Sequence, residues 1–147
     1  MLIGIMGKRA LFIISDGFED IETVVPIDVL TRLGVNVTVA GLRSRELKGA
    51  WGSSLLADVI LDEEDKQTYD ALILPGGKKN ALFLASSALV RQNILDHYNS
   101  GKIVAAICAS PSHVLGEAAQ LLKGKRVTGD PEFSERLQNS VAIYTNE

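Results

Sequence analysis

The sequence predicts an α/β fold in which a mainly parallel β-sheet lies between two layers of helices. Three observations indicate it: short apolar runs alternate with helical patterns, the apolar runs are nearly continuous, and glycines stand at the junctions between them. A parallel sheet covered by helices on both faces produces strands of this kind. We therefore expect one three-layer α/β sandwich over residues 1–147, with residues 1–8 as a loose extension.

The first half of the chain predicts, in order, a strand at residues 9–15, a helix at 19–33, a strand at 35–40, and apolar runs near Trp51 and at 55–61. Residues 35–40 alternate β-branched side chains, which is typical of a strand, and Gly34 occupies a helix C-cap position. The last two apolar runs leave two alternatives open, a hairpin or one bent strand. The acidic residues 62–65 indicate a solvated loop or the start of a helix.

The second half predicts a strand at residues 71–75, a helix at 87–100, a strand at 103–107 and a helix at 111–122. The helix at 87–100 is amphipathic, with Leu89, Ile94 and Leu95 expected to face inward. Its outward face is expected to contain Arg91, Asp96 and Asn99. Ligands of such sheets bind beyond the carboxyl ends of the strands, so the loops there are the place to look for chemistry.

Composition and charge exclude several classes of protein. Lys+Arg 15 against Asp+Glu 18 give a net charge of −3, so we expect neither nucleic acid nor an anionic membrane as a partner. The apolar start MLIGIMG is too short and too rich in glycine for a secretory signal. Cys108 is the single cysteine, which excludes an intrachain disulfide and a cysteine-rich zinc site. We expect a cytoplasmic protein.

Cys108 is the first candidate for chemistry. It stands directly after a predicted strand and before a helix that Ser110 can cap and Pro111 can begin. A residue in such a tight bend adopts strained backbone angles and projects its side chain from the sheet edge, as in a nucleophile elbow. Nearby helix N–H groups are expected to favour the thiolate. The alternative is a buried structural cysteine.

Glu22 is the second candidate, a carboxyl on an apolar helix face. Helical spacing puts it on one face with Val25, Val29 and Leu33, so we expect it to be desolvated, with a raised pKa. A protonated carboxyl can hydrogen-bond a thiolate or give a proton to a substrate oxygen. The alternative is an ordinary, partly exposed glutamate. Favourable interaction with the helix dipole explains the other acidic residues here: Asp16, Glu19 and Asp20.

Gly76 and Gly77 follow a buried strand and form the third candidate. Paired glycines let the backbone approach a ligand and direct N–H groups at an oxyanion, although a plain turn also explains them. His97 and His113 could each act as a general base, but the sequence identifies a partner for neither. We find no metal-ligand spacing, P-loop or dinucleotide fingerprint, so we expect no metal and no cofactor.

Three segments of the sequence together resemble a known family. RALFIISDGFEDIETVVPIDVLTRLGVNVTVAGL, YDALILPGG and GKIVAAICASP follow one another in the order typical of the ThiJ/PfpI superfamily. The most similar branch is that of the Parkinsonism-associated deglycase, and the resemblance runs from Arg9 to the end of the chain. It implies a flavodoxin-like sandwich, an oxidation-sensitive cysteine and a homodimer.

The resemblance also implies a role for each candidate residue. Cys108 matches the family nucleophile, Glu22 its protonated carboxyl partner, and Gly76, Gly77 and Ala109 the positions whose backbone amides line the site. Family members are described as cofactor-independent glyoxalases that convert methylglyoxal to lactate and as deglycases of early glycation adducts. Others are described as redox sensors or chaperones.

Three departures from the family pattern bear on these expectations. Ala109 stands where the protease-like branch has histidine, which argues against a cysteine protease. Asp130 precedes Pro131 where many relatives have histidine, so no third catalytic partner is assigned. Relatives continue beyond the position of Glu147 with another strand, a Gly-Pro-Gly-Thr turn and a closing helix. We therefore expect the C-terminal part of the usual domain to be missing and part of one sheet face to be uncovered.

Two functional hypotheses share this site. In the first, the Cys108 thiolate adds to the aldehyde of a small dicarbonyl, Glu22 moves a proton between adjacent carbons, and the amides of Gly76 and Gly77 stabilise the oxyanion. In the second, Cys108 is oxidised to a sulfinate that changes the partners of a non-catalytic redox sensor or chaperone. A third interpretation is a shortened domain that folds poorly and has no activity.

Overall fold

The structure, a computed structural model, describes residues 4–61 and 68–145. The strands are β1 (Arg9–Ile14), β2 (Asn36–Gly41), β3 (Glu46–Lys48), β4 (Ser54–Leu56), β5 (Val59–Ile60), β6 (Ala71–Leu74), β7 (Ile103–Ala106), β8 (Arg126–Val127) and β9 (Ile143–Tyr144). The helices are α1 (Asp20–Arg32), α2 (Lys78–Ala85), α3 (Ala88–Asn99) and α4 (Ser134–Asn139), with a π-helix at Pro111–Ala118 and a 3-10 turn at Pro131–Phe133. The acidic residues 62–65, interpreted above as a loop or helix start, lie outside the described residues.

β1 lies at the centre of a five-stranded parallel sheet with the order β5-β2-β1-β6-β7. Phe12 pairs in register with Val39 on one side and Ile73 on the other. The side chains of residues 10–14 are buried one after another, because both faces of the sheet are covered. This confirms the predicted α/β sandwich with a mainly parallel sheet.

The side chains of β1 alternate between two apolar clusters, one on each face of the sheet. Leu11 and Ile13 belong to the cluster that α2, α3 and the π-helix complete. Phe12 and Ile14 belong to the cluster that α1 and the β3–β4 hairpin complete. The two clusters hold the sheet between its helical layers, and the carboxyl ends of β1, β6 and β7 lead into the candidate site.

The two apolar runs at residues 51–61 form neither alternative as expected: the hairpin spans residues 46–56 with Trp51 in its turn, and the run at 55–61 is divided between β4 and β5. β3 pairs antiparallel with β4, whereas β5 joins the central sheet in parallel beside β2. Asp20 fixes the hairpin turn by accepting hydrogen bonds from the backbone N–H groups of Trp51 at 2.9 Å and Ser53 at 3.0 Å. Asp16 accepts from the N–H of Lys48 at 2.9 Å. These two carboxylates therefore anchor the hairpin to the start of α1, a role that the helix-dipole explanation missed.

The α3 helix agrees with the prediction except for one position on its inner face. Ser87 caps it by accepting from the N–H of Val90, and Ile94 is buried. Leu89, expected to face inward, is 37% exposed, and Val90 is buried in its place. The expected outward residues are all exposed: Arg91, Asp96 and Asn99.

The segment after Cys108 differs from the prediction. A π-helix ends at Ala118, where an α-helix to Leu122 was expected. Ser110 makes no capping bond, because its hydroxyl donates to the carbonyl of Pro75 at 2.6 Å instead. Pro111 does occupy the first turn, as predicted. The helix α2 was not predicted at all.

Part of the sheet at β7 remains exposed. Ile103 and Ile107 at the two ends of this edge strand are 64% and 47% exposed. An open, apolar groove of about 550 Å³ lies beside it and is lined in part by Ala71, Ile73 and Ile103. Among the described helices, none is both long enough and apolar enough to cross a membrane.

Candidate active site

Cys108 lies in the bend between β7 and the π-helix, at the carboxyl end of the sheet. Its backbone φ is +61°, a left-handed conformation that residues with a Cβ seldom adopt. Backbone strain of this kind costs on the order of 1–3 kcal/mol and is typical of functional sites. The side chain is partly buried and forms no disulfide. The strained strand-to-helix bend that the sequence predicts is therefore present.

Glu22 reaches this bend from the first turn of α1. Glu19 caps the helix by accepting from the N–H of Glu22 at 2.9 Å. The Glu22 carboxylate accepts from the N–H of Gly76 at 2.9 Å and shares a hydrogen bond with the Cys108 thiol. Burial raises the pKa of Glu22, and the negative charges of Glu19 and Asp130 add to the rise. The raised pKa agrees with the sequence-based expectation.

The reason given for that expectation was wrong. Val25 and Val29, which share a helix face with Glu22, are 51% and 46% exposed, so this face of α1 is open to solvent. Glu22 is desolvated by the loop after β6 and by Cys108, not by its own helix. Helical spacing alone could not reveal this contact between distant segments.

Gly76 makes the approach of Glu22 to Cys108 possible. A Cβ at this position would overlap the Glu22 carboxylate and would lie 2.5 Å from the Cβ and 3.0 Å from the Sγ of Cys108. Glycine is thus required here by a close approach of side chains. Because the N–H of Gly76 already donates to Glu22, this amide is not free to bind a substrate oxyanion, contrary to the expected role.

The N–H groups of Gly77 and Ala109 are directed at the Cys108 sulfur. Gly77 has a φ of +90°, and a Cβ there would overlap the carbonyl of Gly17. Its backbone therefore needs glycine both for conformation and for space. Together the two amides form the part of the site that can stabilise negative charge on sulfur or on an atom bonded to it.

The expected preference of Cys108 for the thiolate is not seen. Burial raises the pKa of the Cys108 thiol to about 11, and the negative charge of Glu22 adds to the rise. The N–H groups of Gly77 and Ala109 oppose the shift but do not cancel it. The effects of burial and of the neighbouring Glu22 carboxylate on the thiol pKa are thus larger than that of the backbone N–H groups, on which the sequence-based expectation rested. The raised pKa favours the thiol form of Cys108 over the thiolate near neutral pH.

Asp130 also contacts the thiol. Its Oδ2 lies 3.7 Å from Cys108 Sγ, with the thiol as donor. The sequence singled out this position only because many relatives have histidine there. A contact between residues 22 positions apart is a tertiary feature that no local pattern signals.

Asn80 is a structural residue of the site that sequence reasoning missed. It is fully buried on α2, and its amide donates to the carbonyls of Pro75 and Gly76 at 2.9 and 3.0 Å. Its carbonyl oxygen accepts from the N–H of Ser15 at 2.7 Å. Asn80 therefore joins the end of β1 to the loop after β6. The available signal was a polar residue at an inward position of a helix, but the helix itself was not predicted.

The structure gives each of the two histidines a backbone partner that the sequence could not identify. His113 is buried, and its Nδ1 is within hydrogen-bond distance of the Ala109 carbonyl and the Ser112 hydroxyl. His97 is partly buried on α3, where its Nδ1 contacts the carbonyl of Asn93 at 2.7 Å. Within residues 4–61 and 68–145, no group of three or more His, Cys, Asp or Glu side chains could hold a metal ion.

The structure is a flavodoxin-like α/β sandwich with one cysteine in a strained bend, next to a half-buried carboxyl. These features define a class of proteins with a single-thiol site at the carboxyl end of a parallel sheet. Residues 8–147 match the DJ-1/PfpI family, and the chain belongs to that family.

Individual relatives agree with this assignment. The chain is 43% identical over 131 residues to protein DJ-1 homolog B of Arabidopsis thaliana, an alignment that covers 88% of this chain and 30% of that protein. It is 30% identical over 136 residues to a protein named deglycase from Thermococcus kodakarensis, with 92% of this chain and 80% of that protein covered. The chain thus spans less than a third of the Arabidopsis relative.

A solved structure confirms the fold. The crystal structure of Drosophila melanogaster DJ-1beta matches with a TM-score of 0.89 and 31% identity, over 97% of this chain and 75% of that one. The flavodoxin-like architecture that the sequence resemblance implied is therefore correct.

Proposed function

We propose that this protein is a cysteine-dependent, cofactor-independent glyoxalase or deglycase that acts on methylglyoxal-type dicarbonyls or their adducts. The observation that carries the proposal is the contact between the Glu22 carboxyl and the Cys108 thiol, made possible by the bare backbone of Gly76. Similarity to a protein named deglycase supports the same class of reaction.

The first step of the proposed reaction is addition of the thiol to the aldehyde. A bond forms between Cys108 Sγ and the aldehyde carbon while the thiol proton passes to the Glu22 carboxylate, with which the thiol shares a hydrogen bond. The carbonyl oxygen takes the proton of the Glu22 carboxyl, whose raised pKa keeps that proton available. The product is a hemithioacetal, and the N–H groups of Gly77 and Ala109 stabilise charge that develops near the sulfur.

The second step moves a proton between neighbouring carbons. Glu22, now a carboxylate, removes the proton from the former aldehyde carbon and returns it to the adjacent carbon. The hydroxyl proton of the former aldehyde carbon moves to the oxygen of the adjacent carbon, which gives a thioester of a 2-hydroxy acid. Water then hydrolyses the thioester and frees Cys108. With methylglyoxal the product is lactate. Substrate and water together contain every atom and electron of the product, so the sequence of steps needs no redox cofactor.

The direct test is lactate production from methylglyoxal. We expect Cys108→Ser and Glu22→Gln to lower the rate by at least about 100-fold, the usual contribution of a nucleophile's proton donor or acceptor. Glu46→Gln, an exposed carboxyl on β3, serves as the matched control and should keep the wild-type rate. Wild-type lactate production by Cys108→Ser would refute the proposal.

A second candidate function is that of a redox sensor using the same thiol. The observation that favours it is the pair of N–H groups from Gly77 and Ala109, which would stabilise an anionic sulfinate. Peroxide is the oxidant that this function requires. Mild peroxide treatment followed by intact-mass measurement should then add two oxygen atoms to the wild type and none to Cys108→Ser. Retention of the bare thiol would exclude this function.

We also infer a homodimer formed through α1. The exposed face of this helix is apolar: Ile21, Val24, Val25 and Val29 are all exposed. An exposed apolar patch of this kind is typical of an interaction surface. Sedimentation should give twice the 15.8 kDa mass of one chain, and Val25→Asp should give the monomer. Leu82→Asp, at an exposed apolar site on α2, should remain a dimer, and a monomeric wild type would contradict the inference.

The proposed location is the cytoplasm. A protein whose single cysteine must remain a thiol is suited to a reducing compartment.

A further inference from the structure

Asp130 places a negative charge beside the Cys108 sulfur. Its Oδ1 accepts from the N–H of Glu132 at 3.0 Å and so caps the 3-10 turn. Its own N–H donates to the carbonyl of Cys108 at 3.1 Å. These two bonds fix the carboxylate with Oδ2 at 3.7 Å from Cys108 Sγ. A compound that reacts with the sulfur must therefore come close to this carboxylate.

Glu19 brings a second carboxylate to the site from the start of α1. Its side chain accepts from the N–H of Glu22 at 2.9 Å, and its own N–H donates to the carbonyl of Gly76 at 3.1 Å. The carboxylates of Glu19 and Asp130 are both close enough to Glu22 for their negative charge to act on it. Both residues are half-buried, so salt screens their charge less than it screens a fully exposed one.

The basic side chains at this end of the sheet are engaged elsewhere. Lys78, at the start of α2, forms an ion pair of 3.0 Å with Glu132. Lys79 lies over an aromatic ring of α2, with its Nζ 5.7 Å from the ring centroid. Arg43, after β2, lines a separate cavity together with Asp16. In the described part of the chain, none of these three cations forms an ion pair with the two carboxylates beside Cys108.

We propose that the Cys108 site accepts neutral and cationic carbonyl compounds and discriminates against those that carry a carboxylate or a phosphate group. This inference rests on the proposed function, because it names the class of substrate that the same site accepts. Methylglyoxal is neutral and belongs to this class, as do its adducts on cationic side chains, whereas 2-oxoaldehydes that bear a phosphate do not. Asp130 and Glu19 determine the specificity through their charge, and the inference assigns neither of them a proton-transfer step.

The size of the effect follows from the short distance between Asp130 and the sulfur. Two unit charges about 5 Å apart, in surroundings between water and a protein surface in dielectric constant, change the rate of an encounter by roughly 10-fold. A cation should gain this factor at the site and an anion should lose it. At low salt we therefore expect Cys108 to react about 100-fold faster with a cation than with an anion of similar size.

The experiment measures how fast three methanethiosulfonates of different charge modify Cys108, the single cysteine of the chain. Each reagent transfers its alkylthio group to Cys108 Sγ, so a disulfide forms and methanesulfinate leaves with the electron pair of the broken S–S bond. One reagent carries a trimethylammonium group, one a sulfonate group, and methyl methanethiosulfonate has no charge. Each rate is divided by that of a neutral small thiol, N-acetylcysteine amide, with the same reagent. The cation-to-anion ratio of these relative rates then reports the charge near the sulfur, because the reactivity of the thiol itself cancels.

Asp130→Asn is the main variant, because asparagine keeps an oxygen that can cap the 3-10 turn but has no charge. It should lower the wild-type ratio roughly 10-fold, and Glu19→Gln should lower it too. Asp96→Asn is the matched control. Asp96 is exposed in the last turn of α3, which leads to the amino end of β7, whereas Cys108 follows the carboxyl end of that strand. This variant loses the same charge and should keep the wild-type ratio. A wild-type ratio near one, or a ratio that Asp130→Asn does not lower, would overturn the proposal.

The salt dependence of the wild type tests the same inference without any variant, and so covers the case in which Asp130→Asn folds poorly. Between about 0.01 M and 1 M salt the Debye length falls from about 30 Å to about 3 Å. The cation-to-anion ratio should therefore fall at least about 3-fold, while the relative rate of the uncharged reagent should stay constant. A ratio that is equally large at both salt concentrations would contradict a role of charge.

A pair of substrates extends the test to the proposed reaction. The value of kcat/KM for hydroxypyruvaldehyde should be at least about 10-fold higher than that for its phosphate ester, and Asp130→Asn should reduce this difference. Equal values for the two compounds in the wild type would overturn the assigned substrate class. The proposed function fails separately, if neither these compounds nor methylglyoxal give a 2-hydroxy acid although the cationic reagent still modifies Cys108 faster than the anionic one.

Discussion

Replacing Gly76 with alanine tests how closely the site is packed. The added Cβ would lie 2.5 Å from the Cβ of Cys108, whereas ordinary contact begins at 3.4 Å, so the two segments must separate by about 0.9 Å, the difference between these values. Overpacking of this kind costs about 1–3 kcal/mol of stability. Displacement of reacting groups by about 1 Å costs roughly 100-fold in rate. We therefore expect both a less stable protein and a much slower reaction.

Two measurements check this prediction. Urea unfolding of Gly76→Ala should give a free energy of unfolding about 1–3 kcal/mol lower than the wild type, and kcat/KM for methylglyoxal should fall about 100-fold. Gly4→Ala is the control, because Gly4 lacks a left-handed φ and a Cβ there meets nothing within 4 Å. Wild-type stability and wild-type kcat/KM in Gly76→Ala would refute the close contact of Glu22, Gly76 and Cys108.

Three further predictions follow from the contacts described above. Asn80→Ala removes three buried hydrogen bonds, so urea unfolding should show a loss of at least about 2 kcal/mol in the free energy of unfolding, whereas the exposed Asn99→Ala should show almost none. Hydrogen bonds from the hairpin turn lower the pKa of Asp20. Their contribution to the free energy of unfolding is therefore complete above pH 3.8 and is lost as the pH falls through the lowered pKa. The fluorescence of Trp51 should change in that acidic range, and Asp20→Asn should abolish the transition. Burial raises the pKa of Glu22, so its contribution to stability is complete below pH 4.5 and is lost as the pH rises through the raised pKa. As the pH rises, the free energy of unfolding of the wild type should therefore fall relative to that of Glu22→Gln. Parallel pH curves for the two proteins would contradict the raised pKa of Glu22.

Continuous apolar runs and glycine junctions predict most of the central sheet correctly. β1, β6 and β7 are confirmed because a strand covered on both faces needs an uninterrupted apolar run, a local signal. β2 is confirmed from another local signal, the alternation of β-branched residues. The helix α2 was missed because KKNALFLA is short and follows two glycines that suggest a turn. The π-helix was taken for an α-helix, and the expected Ser110 cap is absent because Ser110 makes a tertiary hydrogen bond to Pro75 that no local pattern signals.

The candidate site, like the fold, could be predicted from the sequence only in part. Local patterns singled out Cys108, Glu22 and the two glycines, the resemblance to a family implied their roles, and the structure brings them together. The electrostatics of the thiol could not be predicted, because its pKa depends on burial and on carboxylates that arrive from distant segments. The contact of Asp130 with Cys108 is the clearest case, since the two residues meet only once the chain has folded.

The hydrogen bonds of Asn80 have a consequence for how small molecules enter. This one side chain links the loop after β1 to the loop after β6 at the carboxyl end of the sheet. Neither loop can move away without breaking buried hydrogen bonds. A binding site that already has its bound conformation loses little conformational entropy when it binds a small molecule. Under the proposed function, selection among aldehydes should therefore depend on their size and shape at this rigid opening, and bulky aldehydes should be rejected on steric grounds.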